Sequence, residues 1–261
     1  MIHLEFIKKI DGITEKSVFY ALIKVNNEII GFGRQLLYKN SGDDYIKKVI
    51  LNDTFDIIED TGSHFTGEDP RAFYHNDTLY VVDNYFNKIR LYDVSNQKYI
   101  PVYAPGKNFS FVSHNNELYF IHVMRPFYLL KINLETTEIE QCEVNSRGEC
   151  NGEYRGGTPG YKLTENIYYG FGHRTYHKNG ILTHDIFYWN LDFTNEKPDF
   201  KIVDIDKPSN ALNICDPTSI IEVNGEHYMI TAESERDWGI QQDFTTNVYK
   251  LSEIKRILVV S

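Results

Sequence analysis

Charged and hydrogen-bonding residues of this 261-residue chain gather just before and just after short polar turns. Before the turns stand Gly67-Glu68-Asp69-Pro70-Arg71, Gly106-Lys107-Asn108, Arg155-Gly156-Gly157-Thr158-Pro159 and Cys215-Asp216-Pro217. After them, segments end at Arg34, Asn84, His173-Arg174 and Glu233. Carboxylates can give or take protons, and guanidinium, ammonium and imidazole groups can hold an anion. Asp69 and Arg71 share a face if their stretch is extended, and an Arg favours the ionised form of an Asp beside it. One such pair is as well explained by a structural salt bridge. A functional reading requires several such groups to meet.

The turns belong to a repeat. Val18–Val25 and Glu28–Gly33 flank Asn26-Asn27, and Asn tolerates the positive φ of a tight hairpin. Ala72–His75 and Thr78–Asp83 flank Asn76-Asp77, and Phe109–His114 and Glu117–His122 flank Asn115-Asn116. A fourth copy runs from Pro159 through Thr164-Glu165-Asn166 to Gly172, and a fifth from Thr218 through Asn224-Gly225 to Thr231. Tyr80, Tyr119 and Tyr228 fall four positions after the first turn residue, with Ile30 at the same place in the first copy, which predicts a shared packing slot. Further short strands follow at Ile89–Asp93, Leu129–Asn133, Asp185–Trp189 and Val248–Leu251. Repeats of roughly 40 to 60 residues without an amphipathic helix predict an all-β, five-bladed β-propeller. It is expected as a single domain over 1–261, with blades near 17–60, 68–104, 107–142, 155–205 and 215–253. A β-sandwich is the alternative. Leu4–Phe6 or Ile257–Val260 is expected to complete a blade begun by the other end of the chain and so protect a sheet edge. In a propeller the first strand of each blade lines the axis, so residues starting those strands converge. The ends of the second strands return to the same rim.

Composition narrows the function. With 41% hydrophobic and 25% charged residues and no long apolar run, neither a disordered chain nor a membrane span is expected. A net charge of -10 without a basic stripe disfavours nucleic acid, whose binding rests on Lys and Arg neutralising phosphates. Nineteen Tyr, sixteen Phe and two Trp suit strands and offer flat faces on which sugar rings stack. Met1–Lys9 has no continuous apolar core and no small-residue cleavage site, so it does not read as a secretory signal. Three cysteines, Cys142, Cys150 and Cys215, fit a reducing, cytoplasmic setting, with Cys142 and Cys150 able to pair if oxidised.

Gly67-Glu68-Asp69-Pro70-Arg71-Ala72-Phe73, Lys107-Asn108-Phe109, Arg155-Gly156-Gly157-Thr158-Pro159 and Gly172-His173 together resemble the successive blade motifs of glycoside hydrolase family 130 and its relatives. These are five-bladed propellers that include β-mannoside phosphorylases, hydrolases and mannosyltransferase-like members. The resemblance spans roughly residues 17 to 252. It implies a carbohydrate-active enzyme on a mannoside-like substrate, with Asp69 at the place of the proton donor. Arg155 and His173 fall where a basic residue and a histidine help hold phosphate. With Arg34, Arg71, Lys107, Asn108, Arg125, Arg174, Asp216 and Glu233 they form the candidate binding set. The implied partner is an oligosaccharide or sugar phosphate, with no nucleic acid and no membrane. No cofactor is expected beyond inorganic phosphate as co-substrate. Two departures stand out: the first blade opens Ser17-Val18-Phe19-Tyr20 rather than with an Asn-Pro-Ser type, and the last carries Asp216-Pro217-Thr218 in place of a more apolar start.

Breaking a glycosidic bond requires protonation of its oxygen while oxocarbenium-like charge develops, the task Asp69 would take. An inverting hydrolase adds a second carboxylate about 6.5 to 9.5 Å away to activate water, for which Glu233 and Asp216 are the candidates. A phosphorylase instead holds an already anionic nucleophile, with Arg155 and His173 and with Lys107 or Arg125 nearby. No metal is expected, since no His-Glu-X-X-His, paired-Cys or calcium-loop pattern occurs and His173, His177 and His184 are irregularly spaced. Gly31-Phe32-Gly33 and Gly156-Gly157 open no helix after a strand, and no Gly-X-Ser-X-Gly nucleophile motif is present. Two classes follow: an enzyme acting on glycosidic bonds by phosphorolysis, hydrolysis or transfer with Asp69 as acid, or a propeller that binds glycans or proteins without turnover.

Overall fold

The structure is a computed structural model that describes residues 2–11, 19–35, 45–85, 88–102, 104, 106–145, 153–235 and 244–252. Among the described residues every regular element is a strand. After β1 (His3–Ile10), the first blade is β2 (Phe19–Val25), β3 (Glu28–Gln35), β4 (Tyr45–Leu51) and β5 (Ile57–Thr66). The second is β6 (Glu68–His75), β7 (Thr78–Tyr85), β8 (Lys88–Asp93) and β9 (Lys98–Ile100), and the third is β10 (Ser110–His114), β11 (Glu117–Val123), β12 (Tyr128–Ile132) and β13 (Ile139–Gln141). The fourth holds β14 (Glu153–Arg155), β15 (Tyr161–Lys162), β16 (Ile167–Lys178), β17 (Ile181–Asp192) and β18 (Asp199–Asp204). In the fifth, β19 (Ile214–Val223), β20 (Glu226–Ser234) and β21 (Thr245–Ser252) are completed by β1, which pairs antiparallel with β21 from His3↔Ser252 to Ile10↔Thr246. The chain therefore forms the five-bladed propeller expected, closed by its amino-terminal strand.

Four hairpins turn where the polar pairs stand. Asn26-Asn27, Asn76-Asp77, Asn115-Asn116 and Asn224-Gly225 all have positive φ at both positions, the geometry that matches the right-handed twist of the flanking strands. The shared slot is visible in the register: Ile30, Tyr80, Tyr119 and Tyr228 sit opposite Ile23, Phe73, Val112 and Ile221. The fourth blade departs from the expectation. Its β15 is two residues long and joins β16 through a looser loop, in which Leu163 N donates to Ile167 O and Ile167 N donates to Thr164 Oγ1. The tight turn of this blade is Asn179-Gly180, between β16 and β17.

Successive blades bury their apolar faces against each other. Ile10, Leu22, Val49, Ile221 and Val248 join the fifth blade to the first, while Phe32, Ile46, Ala72 and Val81 join the first to the second. Phe73, Leu91, Phe111 and Phe120 join the second to the third, and Phe73 and Phe111 stack at 4.7 Å. Trp189 and Phe187 face Val112 and Leu129 across the third interface, and Phe171 and Tyr188 face Met229 and Tyr249 across the fourth. Five such interfaces close the ring. At the closure itself, Tyr20 N donates to Thr246 Oγ1, Leu22 N to Ser219 Oγ and Thr218 Oγ1 to Tyr20 O. Cys150, Ser17-Val18 and Ile257–Val260 lie outside the described residues.

Candidate functional site

The chain reaches the axis of the second and third blades through Asp69 and Asn108, both with positive φ (48° and 56°). Asp and Asn adopt this left-handed conformation more readily than other side-chain-bearing residues. At Asp69 it accompanies a register shift between Glu68↔Asn84 and Arg71↔Val82. This overturns the expectation that Asp69 and Arg71 share an extended face, because the bulge re-aims one side chain relative to the next. The Asp69 carboxylate turns to the first blade, where Arg34 Nη1 donates to Oδ1 at 2.8 Å. Arg34 Nη2 also lies 3.7 Å from Glu68 Oε2.

Arg71 is a charged strut through the middle of the molecule. It is 1% exposed, and its Nε donates to Gly157 O of the fourth blade at 2.7 Å. Its Nη1 donates to Pro70 O at 2.9 Å and to Asp69 O at 3.3 Å, and its charge sits 5.2 Å from the Phe19 ring centroid. Its Nη2 is buried with no hydrogen-bond partner among the described residues. Burial pulls the guanidinium pKa down, and the Asp69 and Asp216 carboxylates push it back up. Gly157 has no room for a side chain: a Cβ there would lie 2.7 Å from Phe171 O and 2.9 Å from Pro217 O.

Beside Arg71, blades four and five bring together three side chains. His184 Nδ1 lies 2.5 Å from Asp216 Oδ1 in a hydrogen bond, and His173 Nδ1 lies 3.6 Å from the same oxygen. The two imidazoles stack at 4.6 Å. His173 is fully buried, and neither ring nitrogen has a hydrogen-bond partner among the described residues. Burial drives its pKa down to about 3 against the pull of Asp216. Burial alone would raise the Asp216 carboxyl, but the two imidazoles, the His184 hydrogen bond and Arg71 hold it well below the usual range, so it is ionised.

The remaining candidates are placed differently. Glu233 is fully buried, and its carboxylate accepts from Leu212 N (3.0 Å), Thr231 Oγ1 (2.6 Å) and Tyr249 Oη (2.8 Å). It is therefore corrected from a candidate water activator to a structural acceptor. Arg155 stands at the rim, 41% exposed and paired with Glu153 at 2.9 Å, although its charge is felt by His173. Arg174 points outward to Asp185 (3.5 Å) and Asp204 (3.9 Å), away from the axis. Arg125 lies over the Tyr154 ring at 5.0 Å between the third and fourth blades. Asn108 accepts from Asn84 Nδ2 at 3.5 Å, and Lys107 is half-buried beside it.

His184 is the residue that spacing along the chain concealed. The Asn179-Gly180 turn sets Thr175 opposite His184 and His173 opposite Ile186, making the two histidines diagonal neighbours on one sheet face. Reading that dipeptide as a hairpin would have paired them. Asp83 was also missed. It is 1% exposed, takes Arg90 Nε and Nη2 on Oδ1, leaves Oδ2 without a hydrogen-bond partner among the described residues, and is pushed up to about 7 by burial against the pull of Arg90. A folded-state pKa above the unfolded one stabilises the fold at low pH, and that contribution is lost as pH rises from about 4 through about 7. The difference in urea stability between the wild type and Asp83→Asn is expected to change by on the order of 2 to 4 kcal/mol between pH 5 and 8, disfavouring the wild type at the higher pH. A pH-independent difference would refute this assignment.

The far end of the axis opens into a cavity of about 470 Å³ to which all five blades contribute, among them Leu22, Phe73, Phe111, Tyr161 and Glu222. It is separate from the Asp69 end. No protein-family model and no curated protein matches the chain. Among solved structures it is similar to an exo-β-1,3-galactanase from Phanerochaete chrysosporium bound to β-1,3-galactotriose, with TM-score 0.64 and 8% identity over 98% of this chain and 65% of that one. It is also similar to the catalytic domain of the GH62 α-L-arabinofuranosidase of Coprinopsis cinerea (0.64, 8%, 96% and 97%) and to a hypothetical protein from Leishmania major (0.62, 12%, 94% and 90%). The chain spans just under two thirds of the galactanase and nearly all of the other two. At such identities the likeness shows the fold, a five-bladed β-propeller of the kind found in glycoside hydrolase families 43 and 62.

Proposed function

We propose that this protein cleaves glycosidic bonds at the Asp69 end of its axis, with Asp69 as proton donor and inorganic phosphate as nucleophile on a mannoside-like substrate. The observation that carries the proposal is Arg71 Nη2, a buried charged donor without a hydrogen-bond partner among the described residues and within electrostatic reach of Asp69 and Asp216. An unpaired buried charged donor is costly, and an oxygen of a bound anion or sugar would relieve that cost. In the step, the Asp69 carboxylate takes a proton from dihydrogen phosphate and passes it to the glycosidic oxygen, the anomeric C–O bond breaks, and a phosphate oxygen bonds to the anomeric carbon. The products are a sugar 1-phosphate and a shortened sugar, and Asp69 ends as the carboxylate that Arg34 holds. The Glu-Asp-Pro-Arg and Arg-Gly-Gly-Thr-Pro motifs support the phosphorolytic form.

Asp216 favours a second reading. It is ionised and lies beside Arg71, so it could accept a proton from water in a hydrolytic version of the same cleavage. Incubating the protein with manno-oligosaccharides, with and without phosphate, separates the two. Sugar 1-phosphate formed only with phosphate is the expected result, and reducing sugar released without phosphate establishes hydrolysis instead. Sugar binding without turnover on manno-, arabino-, xylo- and galacto-oligosaccharides would leave a glycan-binding propeller.

A further inference from the structure

We propose that His173, His184 and Asp216 form a binding site for one first-row divalent transition metal, with zinc as its representative. The three side chains come from β16, β17 and β19, and one ligand atom of each lies within 4.8 Å of the others. All three are buried, at 0%, 7% and 8% exposure. Two observations point to an ion rather than to packing alone.

The first is His173. A buried imidazole ordinarily satisfies at least one nitrogen, and here neither has a hydrogen-bond partner among the described residues, while Nδ1 faces the Asp216 carboxylate 3.6 Å away. A ring nitrogen that carries no proton offers a lone pair, the form in which histidine ligates metals. The second is the donor set itself. Two imidazole nitrogens and one carboxylate, with further positions left open, suit zinc, iron or cobalt, whereas calcium and magnesium take oxygen cages. Metal–ligand bonds of about 2.0 to 2.2 Å would place the ligand atoms roughly 3.3 Å apart. Binding through Nδ1 therefore replaces the His184–Asp216 hydrogen bond, leaves the His184 ring proton on Nε2, opens that pair slightly and draws His173 closer.

Second contacts already hold the ligands. His184 N donates to Asn213 O at 2.9 Å, and Lys207 Nζ donates to His184 O, Leu212 O and Asn213 O, fixing the segment that leads into β19. The Arg71 charge opposes a nearby cation, but the Asp69 carboxylate on its other side offsets it. Occupancy has a consequence for the reaction. A metal on Asp216 removes it as a free base, which excludes the hydrolytic reading through Asp216 and leaves the phosphorolytic one intact.

The test uses the whole protein, stripped with a chelator and titrated with zinc, cobalt, calcium and magnesium by calorimetry. One equivalent of zinc is expected, with cobalt giving the visible absorption of nitrogen ligation and calcium and magnesium showing no binding. His173→Ala and His184→Gln are each expected to weaken zinc by roughly 100-fold or more, with folding checked by circular dichroism. Where a variant fails to fold, anomalous scattering at the zinc edge from wild-type crystals locates the ion. No zinc uptake by the folded wild type, binding of calcium alone, an ion elsewhere, or unchanged affinity in both folded variants would each overturn the site. Activity without metal uptake defeats this inference alone, and metal uptake without turnover defeats only the proposed function.

Discussion

Arg71→Met is expected to destabilise the protein by about 3 to 5 kcal/mol, read as a fall in the urea midpoint at unchanged slope. Met fills similar space but removes the hydrogen bonds to Gly157 O, Pro70 O and Asp69 O. It also takes away the positive charge that compensates Asp69 and the buried, ionised Asp216. Removing one partner from a buried charged network costs more than the network contributes, because the charges left behind are unsolvated. Arg71→Lys retains the charge but cannot reproduce the planar fork that spans the second and fourth blades, so it should fall between the two. A loss below about 1 kcal/mol for the Met variant would show that the strut is not structural.

Asp69→Asn is expected to lower turnover by about 100- to 10,000-fold, the usual contribution of a positioned acid, while leaving stability within about 1 kcal/mol of the wild type. The backbone argument favours this separation. Asp69 holds φ at 48°, a conformation Asn accepts at least as readily, and an amide oxygen can still accept from Arg34. Asn cannot give a proton to a leaving oxygen. The loss should shrink for substrates whose leaving group departs without protonation, such as dinitrophenyl glycosides. Equal losses on natural and activated substrates would mean that Asp69 holds the sugar rather than protonating it.

Much of the architecture was legible because its determinants are local. A two-residue turn with both φ values positive selects Asn, Asp or Gly, and Asn26-Asn27, Asn76-Asp77, Asn115-Asn116 and Asn224-Gly225 stand out between apolar runs. Their spacing implied blades, and blades implied that Asp69, Asn108 and Asp216 begin strands near one axis. The Asn179-Gly180 turn carries the same signal, and it is this turn, not the Thr164-Glu165-Asn166 loop, that brings His173 and His184 side by side. Leu4–Phe6 and Ile257–Val260 both read as strands able to complete a blade, and the pairing of β1 with β21 assigns that role to the amino-terminal one.

The order of residues along the chain specifies a local code: which residues turn, which alternate, and which polar groups gather at one end of the repeats. Tertiary structure decided which way each of those groups points. Arg71 runs inward to Gly157 O while Arg174 leans outward to Asp185, and Glu233 accepts from Tyr249, Thr231 and Leu212 while His173 has no hydrogen-bond partner among the described residues. The reason is that a side chain's direction at a strand end depends on bulges and on the neighbouring blade. Whether a buried polar group is satisfied depends on donors brought in from distant parts of the chain.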